Sequence, residues 1–386
     1  MPWSRLQRSV AWKDFIGISM PDPGPARIIS ECLDWLARAQ DLSRTGDGGV
    51  ARHFSLKDGW SASYPETTGY IVATLLNGAH EPSHEGSIER ARRMLDWLVS
   101  IQFPDGGFQG GMVDQTPRVP VTFNTGQILL GLVAGATLDA RYAKAAGAAA
   151  DWLVTTQDVD GCWRRHPTPF AEFGEKAYET HVSLGLFAAH AAFPDRAYQA
   201  SALKQVDWAL TKQSPNGWVA DCCLSDPSRP LTHTLGYFLR GVIGAHQSSG
   251  DQRYLTAACR TADGLLAQLS ADGKLCGRFT SQWRSAANWV CLTGLSQIAE
   301  SWFLLHKATG RSDYFDAARR ANAFVRRTIR VGGPPEISGG VKGSLPVYGD
   351  YGKWQYLNWA CKFTVDANRQ ELSLQAGNAP IPRSAA

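Results

Sequence analysis

Several familiar signals are missing from this 386-residue sequence, and each absence removes a class of function. No run of Lys or Arg tracks a phosphate backbone, and a net charge of +4 is too mild to argue for nucleic acid. The opening stretch, MPWSRLQRSVAWKDFIGISM, holds no apolar core of signal-peptide length, and no segment is long enough to span a bilayer. The eight cysteines (Cys32, Cys162, Cys222, Cys223, Cys259, Cys276, Cys291 and Cys361) form no CxxC pair, so neither a zinc ribbon nor a redox motif is indicated. Reduced thiols and a cytoplasmic location are the expectation. What the sequence does have is 14 Trp and 38 Gly, a density that asks for heavy core packing or for a site that stacks flat ligands.

The strongest positive signal is a repeat. Asp34-Trp35-Leu36 leads to Gln40 and Asp47-Gly48-Gly49; Asp96-Trp97-Leu98 leads to Gln102 and Asp105-Gly106-Gly107. Asp151-Trp152-Leu153 leads to Gln157 and Asp160-Gly161-Cys162-Trp163, and Asp207-Trp208-Ala209 leads to Gln213 and Asn216-Gly217-Trp218. A fifth, eroded copy runs from Asp263-Gly264-Leu265 to Asp272-Gly273, and a sixth from Asn322-Ala323-Phe324 to Gly339-Gly340. The grammar is an amphipathic helix, an Asp-Gly or Asn-Gly reversal, a loop of variable length and a second helix. The second helices (67–78, 125–135, 180–192, 234–245, 290–305 and 359–367) are apolar nearly all round, which marks them as buried. Six hairpins with outer first helices and inner second helices predict an all-α (α/α)6 toroid over residues 26–370, with an N-terminal extension (1–25) and a C-terminal tail (371–386).

In such a toroid the loops leading into the inner helices gather at one rim, where helix N-termini favour negative charge. Reading only those positions yields Arg52, His53, Asp58, Trp60, Tyr64 and Glu66 from repeat one, and Arg118, Thr122 and Asn124 from repeat two. Repeat three offers Arg164, Arg165, His166, Tyr178, Glu179 and His181; repeat four, His233; repeat five, Arg278, Trp283, Arg284 and Asn288. Repeat six offers Lys342, Tyr348, Asp350, Tyr351, Trp354, Tyr356 and Asn358. Some of these must simply cap helices or tie repeats together. As a set, flat aromatic faces suit pyranose rings and the Arg excess suits a carboxylate, so an acidic saccharide is the expected partner. Tyr178 and His181, three residues apart with Asn124 on the preceding inner helix, suit removal of a proton α to a uronate carboxylate, as in β-elimination or C5 epimerisation. Alternatively, Glu66 and Glu179, or either with Asp350, form the paired carboxylates of a glycoside hydrolase. A non-catalytic saccharide-binding component is a third reading and a terpenoid cyclase a fourth. No metal or cofactor is expected.

The helix-Gln-Asp-Gly-aromatic unit resembles the QW motif of squalene-hopene and other class II terpene cyclases, but their DxDD acid is missing. It is similar also to prenyltransferase β-subunits, whose zinc ligands Asp160, Cys162 and His181 or His233 would have to imitate; Asp160 and Cys162 belong instead to the repeat's own turn. Lanthipeptide cyclases share the toroid, but their Cys-His-Gly zinc signature is absent. Over nearly the whole chain, GWSASYPETTGY, NWVCLTGLSQIAESWFLLHKATG and GGVKGSLPVYGDYGKWQYLNWACKF resemble a bacterial family encoded among capsule and exopolysaccharide genes. That toroid also resembles glucuronyl C5-epimerase C-terminal parts and several polysaccharide lyase and glycosidase families. The resemblance implies a saccharide substrate and association with polysaccharide assembly proteins; it does not identify the reaction.

Overall fold

The computed structural model describes residues 3–17, 20–78, 86–194 and 197–377. Its repeated motif joins neighbouring hairpins rather than completing one. In four copies the turn Asp or Asn accepts a hydrogen bond from the N–H two residues on: Asp47 from Gly49 (3.1 Å), Asp105 from Gly107 (3.1 Å), Asp160 from Cys162 (3.2 Å) and Asn216 from Trp218 (3.1 Å). The intervening glycine takes a positive φ and presses on the backbone of the next outer helix. A Cβ at Gly106 would lie 2.3 Å from the Ala148 carbonyl, one at Gly161 2.4 Å from that of Lys204, and one at Gly217 2.2 Å from that of Arg260. The eroded copies obey the same rule. Gly273 meets Arg320, and Gly339, the last, would meet Glu31 of the first outer helix at 2.0 Å, which closes the ring. The repeated Gln reaches the same way: Gln102 Nε2 donates to Gly106 O and Ala145 O, and Gln157 Nε2 to Gly161 O and Ser201 O, all at 3.0 Å. The repeated Asp accepts from a tyrosine of the next outer helix: Asp96 from Tyr142 and Asp207 from Tyr254, both at 2.9 Å.

After an N-terminal helix α1 (Arg5–Ile16), outer and inner helices alternate. They are α2 (Pro25–Asp41), α3 (Pro65–Asn77), α4 (Ser87–Ile101), α5 (Thr122–Ala134), α6 (Ala140–Thr156), α7 (Thr180–Ala192) and α8 (Tyr198–Leu210). There follow α9 (Thr232–Ser249), α10 (Gln252–Leu266), α11 (Leu292–Thr309), α12 (Ser312–Thr328) and α13 (Asn358–Gly377). Outer helices α2, α4, α6, α8, α10 and α12 carry the buried Trp35, Trp97, Trp152, Trp208, Leu265 and Phe324. The inner helices ring the axis in the order α3, α5, α7, α9, α11, α13 and back to α3. Glycine lets them approach: a Cβ on Gly69 of α3 would fall 2.4 Å from Ile128 Cα of α5.

One pairing differs from expectation. Each outer helix packs chiefly on the inner helix that precedes it (α4 on α3, α6 on α5, α8 on α7) and α2 packs on α13. The short links run from inner to outer, as at 250–251 and 310–311, and short links make antiparallel neighbours. The long links run from outer to inner and build the rim. There β1 (His53–Ser55) pairs antiparallel with β2 (Gly59–Trp60) and, across the ring closure, with β5 (Gln355–Leu357). Strands β3 (Val290–Cys291) and β4 (Ser344–Leu345) join repeats five and six. Helix α1 lies on the repeat-six rim loop, with Val10 and Ala11 buried and Asp14 paired to Lys342. Helix α13 runs on past residue 370; residues 378–386 of the expected tail lie outside the described residues.

Candidate active site

The N-terminus of α3 holds the central group. Pro65 starts the helix, Glu66 follows in its first turn, and the Tyr64 hydroxyl donates to Glu66 Oε2 at 2.6 Å. Glu66 is 8% exposed, and this burial raises its carboxyl to about 7, against the pull of the Tyr64 hydrogen bond and the Arg52 charge. Arg52, from the loop before β1, spreads over the rings of Trp359 (4.9 Å) and Tyr64 (5.8 Å). Its Nη1 is steadied by His53 Nδ1 (3.1 Å) and Gln355 Oε1 (3.3 Å). Its guanidinium makes no ion pair among the described residues, so its charge is held in place without being neutralised.

These groups face a cavity of about 300 Å³ at the axis. Arg52, Tyr64, Glu66, Asn124, Tyr178 and His233 line it, as does Tyr351, so a minority of the predicted residues, drawn from repeats one, two, three, four and six, meet here. The Asn124 amide nitrogen is buried beside the Tyr64 hydroxyl without a well-formed hydrogen bond. His233 Nδ1 donates to Gln297 Oε1 (2.7 Å), which leaves Nε2 as its basic nitrogen. Burial lowers His233 to about 4, so it is neutral at pH 7. Glu66 begins α3 and His233 begins α9, and these helices stand opposite each other across the inner ring. Tyr178 sits in the 3₁₀ turn Ala177–Glu179 before α7, where burial and the charges of Glu179 and Glu66 keep its hydroxyl protonated. Tyr351 OH accepts from Trp359 Nε1 (2.8 Å), which leaves its own proton to offer.

Other predicted residues fall elsewhere. His181, although three residues from Tyr178, lies behind the cavity floor: its Nδ1 meets Gln127 Oε1 (2.6 Å) and its ring packs on Tyr237 at 4.5 Å. Glu179 opens into a neighbouring cavity of about 190 Å³, which shares Phe123, Thr168 and Tyr178 with the first. Burial pushes Glu179 up to about 8, although Lys176 pulls the other way, and its Oε2 has no hydrogen-bond partner. Among the described residues, Glu66 is thus the one carboxyl lining the first cavity.

The remaining predicted residues are structural or peripheral. Trp60 packs on Trp35 and Phe54, and Asp58 accepts from Ser55. His53, lowered to about 3 by burial and Arg52, serves as the Arg52 prop. Arg118 is exposed over Phe103, and Thr122 is buried at the start of α5. Arg164 is spent on Asp158, Asp160 and Glu175, Arg165 on the Thr155 and Gln157 carbonyls, and the His166 ring packs at a tilt on Trp152. Arg278 braces the Arg229 carbonyl and Ser225, and Trp283 is buried with Nε1 on the Asn216 carbonyl. Arg284, Asn288 and Asp350 point outward. Lys342 and Tyr356 lie beneath α1, where Lys342 is buried against Asp14. Trp354 packs on Trp3 and Tyr348, and Asn358 ties the Ala51 carbonyl to Thr67. Variable rim loops fold outward as readily as inward, so position within a loop is a poor guide to direction.

Sequence reasoning missed Phe123, Tyr237 and Trp359, which wall the cavity, and Met112, Gln115 and Phe170, which lean in from the loops of repeats two and three. The first three sit within the first two turns of inner helices, where an aromatic residue reads as core; the loop residues carry no periodic signal. Asp160 is engaged by Arg164 and Cys162 is buried in its turn. No group of three His, Cys, Asp or Glu side chains arranged to hold a metal occurs among the described residues.

No family model matches the sequence, and no curated protein matches it. Solved structures do match in fold. An unsaturated glucuronyl hydrolase specific for heparin superposes with a TM-score of 0.74 at 15% identity, covering 91% of this chain and 98% of its own. An unsaturated glucuronyl hydrolase from Bacillus sp. GL1, responsible for the degradation of glycosaminoglycan, has a TM-score of 0.72 at 16% identity, covering 92% and 97%. Cellobiose 2-epimerase from Bacillus thermoamylovorans has a TM-score of 0.69 at 11% identity, covering 88% and 96%. At these identities the likeness is one of fold: the chain is an (α/α)6 toroid of the kind found in carbohydrate-active enzymes.

Proposed function

We propose that this chain is an enzyme acting on an acidic, uronate-containing saccharide by proton transfer at the carbon next to the carboxylate. One observation carries the reading: Glu66, a buried carboxyl raised to about 7, shares an aromatic-walled cavity with the un-neutralised Arg52. A uronate carboxylate seated on Arg52 and the Asn124 amide would have its negative charge met, which acidifies the C5 proton. Ionised Glu66 takes that proton, and the C5–H electron pair moves into the carboxylate as an enediolate held by the same donors. Reprotonation on the other face by the Tyr351 hydroxyl, whose proton is free to offer, inverts C5, and solvent then carries the proton from Glu66 back to Tyr351. Alternatively the pair returns, the C4–O bond breaks, and protonated Tyr178 supplies the proton to the departing oxygen. The base assigned from sequence to Tyr178 or His181 moves to Glu66 in this scheme.

Hydrolysis is the second reading, favoured by the fold shared with unsaturated glucuronyl hydrolases and by a Glu66 that stays partly protonated at neutral pH. Against it, Glu179 faces the adjoining cavity, so a carboxylate pair across one bond lacks support. Product analysis on glucuronate-containing oligosaccharides tests the choice. Elimination creates an ultraviolet-absorbing unsaturated uronate, epimerisation changes the sugar without cleaving the chain, and hydrolysis liberates reducing ends alone.

A further inference from the structure

Of the twelve large apolar side chains exposed on the described surface, five (Trp3, Trp12, Phe15, Ile16 and Met20) lie in or beside α1. The helix uses two faces. Gln7, Val10 and Ala11 turn to the body of the protein, whereas Trp12 (63% exposed), Phe15 (73%) and Ile16 (59%) turn away from it. The spacing of these three residues puts them on one stripe, and Trp12 and Phe15 stack at 5.8 Å. An aromatic stripe held in water calls for a covering surface.

The charges around the stripe identify that surface. Arg5, Arg8 and Lys13 are exposed on α1 and form no ion pair among the described residues. The helix's one acid, Asp14, is buried against Lys342 and accepts from the Val347 N–H (2.8 Å), so it offsets none of them. Arg327 and Arg330 line the cleft beside α1. A second copy docking here would set these cations against their own kind. An anionic lipid surface instead meets both halves of the chemistry: rings and Ile seat among the acyl-chain boundary, and guanidinium and ammonium groups meet phosphates. No described helix is long and apolar enough to cross a membrane, so the attachment is peripheral.

We infer that α1 is a membrane-docking element that seats Trp12, Phe15 and Ile16 in an anionic lipid surface. Its mount is rigid: Asp14 and Trp3 fasten it to the repeat-six loop through Lys342 and Trp354, and Tyr351 of that same loop lines the cavity. Docking therefore holds the cavity rim beside the lipid.

Sedimentation of the full chain with vesicles of phosphatidylcholine, alone or mixed with phosphatidylglycerol, tests the inference. The protein should pellet with the mixed vesicles only, and less so as salt is raised. Trp12→Ser with Phe15→Ser should abolish pelleting, and Arg5→Gln and Arg8→Gln should each weaken it about fivefold. All four side chains are exposed, so near-ultraviolet circular dichroism should confirm unchanged folding. Failure to bind either vesicle, equal binding to both, or a dimer that the Trp12/Phe15 variant dissolves would overturn the inference.

Discussion

Glu66 has a carboxyl at about 7 against 4.5 for an ordinary glutamate, and that displacement acts on stability as well as chemistry. A raised value means the folded state holds the proton more tightly than the unfolded state. The stabilisation is full below the unfolded value and is lost as pH rises through about 7, which leaves a cost of about 3 kcal/mol at pH 8. Glu66→Gln keeps an acceptor for Tyr64 and removes the charge. It should melt higher than the wild type at pH 8 and equally at pH 4 by calorimetry, while turnover falls by about 10²–10⁴. Glu179→Gln should bring a similar gain at alkaline pH without loss of proton transfer, because Glu179 faces the other cavity. Tyr64→Phe removes a hydrogen bond that lowers the Glu66 value, so the rising limb of the pH–rate profile should move to higher pH. Arg52→Gln should weaken binding of an acidic saccharide by about tenfold or more and leave a neutral analogue unaffected, as titration calorimetry would read.

At the scale of elements, the repeated turn is where sequence and structure agree most closely. Gln and Gly recur because each touches backbone of the next outer helix, and backbone contacts repeat whatever the side chains around them do, whereas Asp caps its own turn or accepts from a tyrosine of that helix. Even the sixth copy kept its glycine after losing Asp and Gln, since Gly339 must pass the Glu31 carbonyl. Gly339→Ala should therefore destabilise the fold as severely as Gly106→Ala. Each meets about 1–3 kcal/mol from the left-handed conformation alone, with the carbonyl clash added, measurable by urea unfolding. The pairing of outer with preceding inner helices was not legible, because helix periodicity says which face is apolar but not which neighbour covers it. The site divides likewise. Glu66, Asn124, Tyr178 and His233 stood out as polar starts to apolar helices, whereas Arg118, Arg278 and Arg284 occupy loops whose direction is set by tertiary contacts.

At the scale of the whole molecule, ring closure makes the site. Strand β5 of the last repeat pairs with β1 of the first, and its Gln355 holds the Arg52 guanidinium over Trp359. The Arg52 charge is thus held over the cavity only when the toroid is shut, and Glu66, Tyr178 and Tyr351 reach that cavity from three different repeats. The measurement that bears most directly on this account uses glucuronate-containing oligosaccharides tritiated at C5. Proton transfer predicts release of tritium to water by the wild type and its loss in Glu66→Gln, whether the outcome is inversion or elimination. Chain cleavage with the label retained, release that survives Glu66→Gln, or no release from any of these oligosaccharides would contradict it.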